Sequence, residues 1–519
     1  MFIYGQFLFS RTVIRVQFSG VQKLFRLLFV FALPAIVMLL SNCRKEQFGK
    51  GNLSFSTDTL TFDTVFTSLG STTRYFKVFN TDKKAVRISD IRLQHLNGSQ
   101  EFRINVDGVN GDQFTEIEIP AKDSIYVFVE VTVNPNSALT PFVIIDDVVF
   151  DVGGNTSTVH LQAFGQNAHY HYGEEYKSGE SKTWSNDLPH VIISHDSVPG
   201  VLIGCGASLD IRPGTKIFFA GNSAIFVQGT LTAMANSWSD SIVFQGARLE
   251  QFYEDKPGQW FGLVFLRSLN CVPQGRFDHC VINESTYGIY AGAGLDPLGP
   301  VYVGPDYRPN VVIKNSIIKN SSENALYGFN AEILAENSIF HTSGGNLVQL
   351  GLGGDYSFNQ CTMYNTGSRF VEHKSETLLL SNLFIVNNQI AAIEPLKTNF
   401  TNCVIYGSLQ NEISFNNYSD TMQFNFDNTF KDTYVKTKQD TFEMFTAIHD
   451  NILYNVDPMF RDADGGAFTP AKDSTGGNDH SPLIDYATGG LSTDIYGTSR
   501  PVNIKGNSTP YDIGAVEAR

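Results

Sequence analysis

The sequence predicts an all-β protein: an N-terminal immunoglobulin-like β-sandwich followed by a right-handed parallel β-helix. Three observations carry this. From residue 190 onward short β-rich runs recur with a period near 22 residues. Residues 52–167 hold a string of short strands in which polar and apolar side chains alternate. Phe (41), Tyr (21) and Gly (45) are abundant and charged residues make up only 17%, a composition suited to strands and tight turns.

The chain has 519 residues and 42% apolar side chains, enough for a large core and too little charge for a disordered polymer. Its net charge is −15. An acidic surface repels phosphate backbones, so nucleic acid is not an expected partner.

Residues 1–43 read as an export signal. Arg11, Arg15, Lys23 and Arg26 precede an apolar run at 27–40 that Pro34 interrupts. That run is short for a membrane span, which needs about 20 residues. It ends Leu40-Ser41-Asn42-Cys43, which resembles a lipobox with Cys43 as the lipidated residue, although Asn42 departs from the usual small residue. An ordinary signal peptide with an incidental cysteine is the alternative. Arg44-Lys45-Glu46 resembles a surface-export signal of Bacteroidetes-type lipoproteins. The expected location is the outer membrane, lipid-anchored at the cell surface.

In residues 52–167, strands are expected at 71–80, 86–93, 102–106, 115–119, 124–133, 143–152 and 158–164. Thr115-Glu116-Ile117-Glu118-Ile119 shows the two-residue period of a half-buried strand. The sandwich is expected to act as a spacer or a cap. Asp146-Asp147 is read either as a calcium ligand pair or as solvated strand edge. Residues 168–189 are read as a linker. His169-Tyr170-His171 within it is either the start of a metal site or interdomain packing.

The β-helix is expected over residues 190–456. Its repeat aligns His279, Asn315, Asn337, Gln360, Asn382 and Asn402 in one column, at steps of 36, 22, 23, 22 and 20 residues. Asn tolerates the left-handed backbone of a sharp corner, and stacked amides can bond from coil to coil, so Asn315, Asn337, Asn382 and Asn402 form a structural ladder. The next column holds Cys280, Ser316, Ser338, Cys361, Leu383 and Cys403, read as an inward stack of small residues. This places Cys361 and Cys403 two coils apart, about 9.6 Å at roughly 4.8 Å per strand, too far for a disulfide. Their thiols are expected free and buried. Five cysteines follow Cys43, an odd number, and none forms a CxxC pair. No metal or cofactor is assigned. Residues 457–519 are expected to close the last coil.

Several stretches together resemble the right-handed parallel β-helix repeat lipoproteins of Bacteroidetes-type bacteria. They are 165–176 (GQNAHYHYGEEY), 244–265, 402–413, 457–462 (DPMFRD), 480–487 (HSPLIDYA) and 512–517 (DIGAVE). The resemblance implies fold, export and lipid anchoring. It brings no reaction and no catalytic residues.

Parallel β-helices bind or cleave polysaccharides, but fold alone does not give function. The helix lacks the acidic, His-Gly and basic motifs of polygalacturonase-like hydrolases and of pectate-lyase-like enzymes. A carboxylate pair on neighbouring coils, about 5–9.5 Å apart, remains compatible with the sequence. The candidate ligand-binding face is the strand expected at 288–291, 325–328, 347–350, 370–373 and 390–393. If Ile289, Leu326, Val348 and Val371 point inward, then Tyr290, Tyr327, Gln349 and Glu372 form an outward row. An ordinary solvated strand face is the alternative. The most charged cluster, Glu372, His373, Lys374 and Arg369, is the candidate catalytic group. Trp184, Trp238 and Trp260 are read as core or cap residues. The excursion at 408–455 is read as extra coils in altered register or a groove wall. The leading expectation is a non-enzymatic surface protein presenting this face to a glycan or envelope partner. A polysaccharide lyase or glycoside hydrolase, and a structural or adhesin-like stalk, are the alternatives.

Overall fold

The computed structural model describes residues 48–519 except 50, 99, 269, 294–307, 419–425, 473–479, 507 and 509. Residues 1–43 with Cys43, most of the insertion at 292–309, and residues 422–425 lie outside the described residues.

The sandwich is built from ten strands: β1 (Leu53–Phe55), β2 (Thr59–Phe66), β3 (Arg74–Asn80), β4 (Val86–Leu93), β5 (Phe102–Val106), β6 (Val109–Gly111), β7 (Gln113–Ile119), β8 (Ser124–Val131), β9 (Phe142–Val152) and β10 (Asn155–Gln166). They form two five-stranded sheets, β1-β3-β8-β5-β6 and β2-β10-β9-β4-β7, in which β2 runs parallel to β10. Strict alternation makes the two faces. In β8, Ile125, Val127 and Val129 are buried while Tyr126 and Glu130 face solvent. Phe76, Val78, Ile88 and Phe150 fill the space between the sheets.

Asp146 is buried, which corrects the solvated-edge expectation. Its Oδ1 accepts the amides of Leu96 (3.1 Å) and Asp147 (2.8 Å), tying down the short 3-10 turn Leu96–Gly98. Asp147 lies 2.7 Å from His160 Nδ1.

Among the described residues the second domain is a single stacked sheet of 26 strands wound into three faces. Strands such as Gln274–Asp278 and Asn310–Lys314 make the first face. Cys280–Asn283 and Ile317–Ser321 lie on the second, and Trp260–Leu266 and Ser285–Ala293 on the third. Pairing between coils is parallel, with register interrupted at a few bulges, so like side chains stack from coil to coil. Phe358, Phe400 and Phe430 form such a stack inside, at centroid spacings of 4.9 and 4.7 Å.

The corner between the first and second faces needs one left-handed residue per coil. His279, Asn315, Asn337, Gln360 and Asn402 supply it, with φ between 45° and 54°. Asn337 Nδ2 donates to Asn315 Oδ1 at 3.3 Å. Asn382 does not belong to this corner. The strand Leu378–Ser381 pairs with Val348–Leu350 on the third face, and the chain then leaves the coil as the antiparallel hairpin Leu383–Val386/Gln389–Ile393. The similar pattern at 378–387 is therefore a different face. Asn382 bonds to Asn417 (3.0 Å) instead, and Asp432 and Asn451 continue the corner at φ 47° and 52°.

The same correction moves the thiols. With the hairpin outside the stack, Thr362 pairs directly with Val404, so Cys361 and Cys403 sit on adjacent coils. They are free and buried, as is Cys280. Leu383 leaves the small-residue column with the hairpin; Ser316 and Ser338 hold it together, each hydroxyl accepting the amide of the preceding coil. Cys205 and Cys271 form a disulfide that the odd cysteine count did not reveal.

Residues 168–189 are the first coil rather than a linker: His169–Tyr172 pairs with His190–Ile193, and Ser181–Trp184 with Ser208–Ile211. Trp184 packs inside this coil against His171 and His190, and Trp260 stacks on Phe219 at 3.8 Å. The sandwich packs on the outer side of the first coils, Phe66 and Leu69 lying against the outward row Tyr170, Val191 and Phe218. The opposite end is plugged by the short α-helix Gln439–Phe445, whose buried Phe442 caps Phe430 at 4.8 Å. A helix across the last coils shields the end of a parallel sheet stack.

The segment 457–519 does not close the last coil. It runs back along the Asn corner, taking the Asn402 amide at Gly489 O (2.9 Å), the Asn337 amide at Thr493 O (2.9 Å) and Trp238 Nε1 at Ile495 O (2.5 Å). The motifs that carry the family resemblance interlock here. Ser481 Oγ donates to Pro458 O (2.6 Å), and the Asp485 amide to Asp512 Oδ1 (2.8 Å).

Candidate functional site

The third face carries an outward row whose register follows from strand pairing. Leu202, Phe226, Val264, Tyr290, Tyr327, Gln349 and Leu379 are successive partners. Behind them Ile289, Leu326, Val348 and Leu378 are fully buried. Tyr290, Tyr327 and Gln349 thus stand in one row. Glu372 does not, because Val371 does not point inward: residues 366–377 form a loop, and Leu378 and Leu379 take the two places.

Tyr290 and Tyr327 stack at 4.6 Å with an 18° tilt. Both are half-buried, and burial pushes the Tyr290 phenol up to about 12 and the Tyr327 phenol higher still. Tyr287 joins them, 5.4 Å from Tyr290 and 6.3 Å from Tyr327. Three residues apart on a strand, Tyr287 and Tyr290 would face opposite sides, but a bulge between them adds one residue and turns both outward. The bulge centres on Gly288, where a Cβ would lie 2.3 Å from Ala325 O. Phe261, 37% exposed, packs edge-on against Tyr287. The sequence reading missed Tyr287 and Phe261 because it assumed unbroken alternation; the Gly following Tyr287 is the signal that could have found them.

Amides border the rings. Asn324 Nδ2 donates to Asn346 O (2.5 Å) and lies 3.4 Å from Gln349 Oε1. On the far side the hairpin stands against the face through Phe384 on Phe329 (5.0 Å), exposing Ile385 and Ile390. Arg308 Nε donates to Asn330 Oδ1 (2.6 Å), beside the buried Arg267. The arrangement offers flat apolar rings with amide and guanidinium groups at their margin, suited to packing against a ring-shaped polar ligand.

The candidate catalytic cluster is scattered. Glu372 and Lys374 pair with each other at 2.9 Å with side chains 76% and 71% exposed. Arg369 lies over Phe370 and reaches Glu254 O. His373 turns inward, its Nδ1 2.8 Å from Ser408 Oγ and its Nε2 3.4 Å from the buried Glu412. The Ser408 amide also reaches Nδ1, at 3.4 Å. Hydroxyl, imidazole and carboxylate in this order resemble a nucleophile relay. Here, however, Nε2 makes no aligned hydrogen bond, and the Ser408 amide, a natural oxyanion donor, is taken by Asn365 O (3.2 Å). Glu412 meanwhile accepts the Thr377 amide (3.1 Å) and hydroxyl (2.8 Å) and the Leu409 amide (2.6 Å). The trio braces the 366–377 loop.

His171 lies 2.9 Å from His190 and 3.0 Å from Glu174, inside the first coil, and His169 faces Asp187 at 3.1 Å. Among the described residues no group of three His, Cys, Asp or Glu side chains is placed to hold a metal ion.

Fold and face define the class, an all-β protein whose stacked parallel coils present a half-exposed aromatic row. No family model matches the sequence, and no curated protein is similar to it. Partial likenesses to solved structures exist, and they carry no functional argument. A family 123 glycoside hydrolase from Clostridium perfringens is 8% identical, with a TM-score of 0.16 over 26% of this chain and 30% of that one. The periplasmic chaperone SfaE is 7% identical, with a TM-score of 0.15 over 22% and 57%. A PapD-like domain of human CEP192 is 15% identical, with a TM-score of 0.16 over 24% and 91%. The chain thus spans less than two thirds of the first two.

Proposed function

We propose that this protein is a non-enzymatic, glycan-binding lipoprotein of the cell envelope, akin to the Bacteroidetes-type β-helix lipoproteins its sequence resembles. The observation that carries the binding role is the stacked pair Tyr290–Tyr327, flanked by Tyr287 and Gln349 on one outward face. Sugar rings present C–H faces that pack on aromatic rings and hydroxyls that bond to amides, and this face supplies both kinds of group. The scattering of Glu372, Lys374 and Arg369 away from His373 weighs against the lyase or hydrolase alternative.

Native affinity electrophoresis through gels containing plant, host and microbial polysaccharides tests the reading. The protein is expected to be retarded in at least one gel, and Tyr290→Ala/Tyr327→Ala to run faster there. Migration unaffected by every polysaccharide overturns the glycan role. Anchoring rests on Cys43 in the lipobox-like run. Metabolic labelling with palmitate is expected to mark the wild type and not Cys43→Ala; equal labelling refutes the assignment.

A further inference from the structure

The sequence suggests a spacer or a cap for the sandwich, yet its two outer surfaces differ. On one sheet, β4, β7 and β9 carry the ion pairs Arg87–Glu118 and Arg92–Asp151, an ordinary solvated surface. On the other, Tyr75 of β3 is 55% exposed and Tyr126 of β8 39% exposed, with Phe128 beside them. The three rings form a closed triangle with centroid distances of 5.3, 5.9 and 5.7 Å. Tyr126 and Phe128 lie within 13° of parallel, and Lys77 Nζ sits 4.6 Å from the centre of the Tyr126 ring.

Phe128 also forms one wall of a cavity of about 640 Å³ on the same face. Thr73, Arg103, Asn105, Asn110 and Glu130 line it. Its polar groups are oriented in advance: Asn105 Nδ2 donates to Asn110 Oδ1 (2.8 Å), Asn105 Oδ1 accepts the Gly108 amide (2.9 Å), and Thr73 Oγ1 donates to Glu130 (2.5 Å). The sandwich meets the β-helix through Phe66 and Leu69, not through these rings.

We infer that this face, from Tyr75 and Tyr126 across Phe128 into the Asn105–Asn110 cleft, is a second carbohydrate-binding surface that takes a neutral polysaccharide chain. Rigid tyrosines give large contact area at small entropic cost. A patch of exposed aromatic rings on a soluble sandwich marks a docking site. The cleft beside it supplies carbonyl, amide, guanidinium and carboxylate groups within one short reach, the mixed donor and acceptor set that sugar hydroxyls require. Charge decides between a neutral and an anionic partner. Glu130, the cross-strand neighbour of Arg103, and Asp112 also line the cleft, and the whole chain carries −15, which disfavours acidic polysaccharides and anionic lipid surfaces alike. Two sites on one chain would bind a polymer with avidity neither site has alone.

The test uses the full chain with Tyr75→Ala/Tyr126→Ala, with Tyr290→Ala/Tyr327→Ala, and with all four changes together. Each is run through gels containing neutral β-glucan, xylan or mannan and through gels containing polygalacturonate. Tyr75 and Tyr126 are surface residues, so the thermal midpoint is expected to stay at the wild-type value. The Tyr290/Tyr327 variant, which leaves only the sandwich surface, is expected to be retarded in a neutral gel. Adding the Tyr75/Tyr126 changes should weaken that retardation about tenfold in apparent affinity. The inference is overturned if Tyr75→Ala/Tyr126→Ala migrates like the wild type in every gel, or if no neutral polymer retards the Tyr290/Tyr327 variant. It is also overturned if the Tyr75/Tyr126 changes act only on co-sedimentation with phosphatidylglycerol–phosphatidylcholine vesicles, which would make the surface a membrane contact. A Tyr290/Tyr327 variant retarded as strongly as the wild type overturns the β-helix face alone, so the two readings fail separately.

Discussion

Arg500 donates through Nη1 to Oδ1 of Asn337, 163 residues earlier, at 2.9 Å, and through Nε to Glu517 at 3.0 Å. Both members of the Arg500–Glu517 pair are fully buried. A corner residue of the β-helix is thereby bolted to the C-terminal segment.

Removing the guanidinium leaves the Glu517 charge buried without its partner. Arg500→Ala is therefore expected to lower unfolding stability by about 3–5 kcal/mol, read from urea denaturation. Arg500→Met/Glu517→Leu should recover much of the loss, because it removes the uncompensated charge together with the pair. An Arg500→Ala midpoint equal to the wild type would show that the segment is not held there.

Two buried groups bend the pH dependence in opposite directions. Burial and the neighbouring Glu517 charge raise the Asp512 carboxyl to about 7. Its folded form binds the proton more tightly than the unfolded one, so the stability it contributes is present at low pH and lost as pH rises towards about 7. Burial lowers His190 to about 4. Its contribution is present above the ordinary histidine value of 6.5 and lost as pH falls towards about 4. Asp512→Asn is expected to gain stability relative to the wild type on going from acid to mildly alkaline buffer, and His190→Gln to gain on going the other way. Urea midpoints across that range check both, and parallel curves for the variants and the wild type would refute the assignment.

The corner at Asn402 separates backbone from side-chain effects. Its φ is 54° and its amide reaches Gly489 O. Asn402→Gly keeps the left-handed backbone and loses only the amide bonds, whereas Asn402→Val adds strain of about 1–2 kcal/mol. Valine is expected to lower the thermal midpoint more than glycine, and the reverse order would contradict the corner assignment.

Cys280, Cys361 and Cys403 are buried, and burial pushes the Cys280 and Cys361 thiols up, away from the reactive thiolate. Among the cysteines after residue 43, none is expected to react with a thiol reagent in the native protein. Three should react in denaturant without reductant, and five after reduction of Cys205–Cys271. Native labelling of Cys361 or Cys403 would mean that the coils open there.

The Asn corner shows where the sequence was legible and where it was not. Asn315, Asn337 and Asn402 could be aligned because each coil repeats the same local demand for a left-handed residue. Asn382 sits in a similar apolar run, LLLSNLFIVN, yet belongs to another face, since nothing local distinguishes a strand of one face from a strand of the next. Asp432 and Asn451 occupy the same corner without the surrounding pattern and escaped notice.

What the sequence determined by itself was whatever short-range chemistry fixes: the β period, the corner residues, the sandwich strands and the burial of Ile289, Leu326 and Val348. Tertiary structure alone decided which coils neighbour each other, because excursions such as the 383–393 hairpin change the spacing without changing the stack. It also set the path of the C-terminal segment, the disulfide and the bulge that turns Tyr287 outward. The triangle of Tyr75, Tyr126 and Phe128 is of the same kind, since Tyr75 precedes Tyr126 by 51 residues and only pairing between β3 and β8 brings them together.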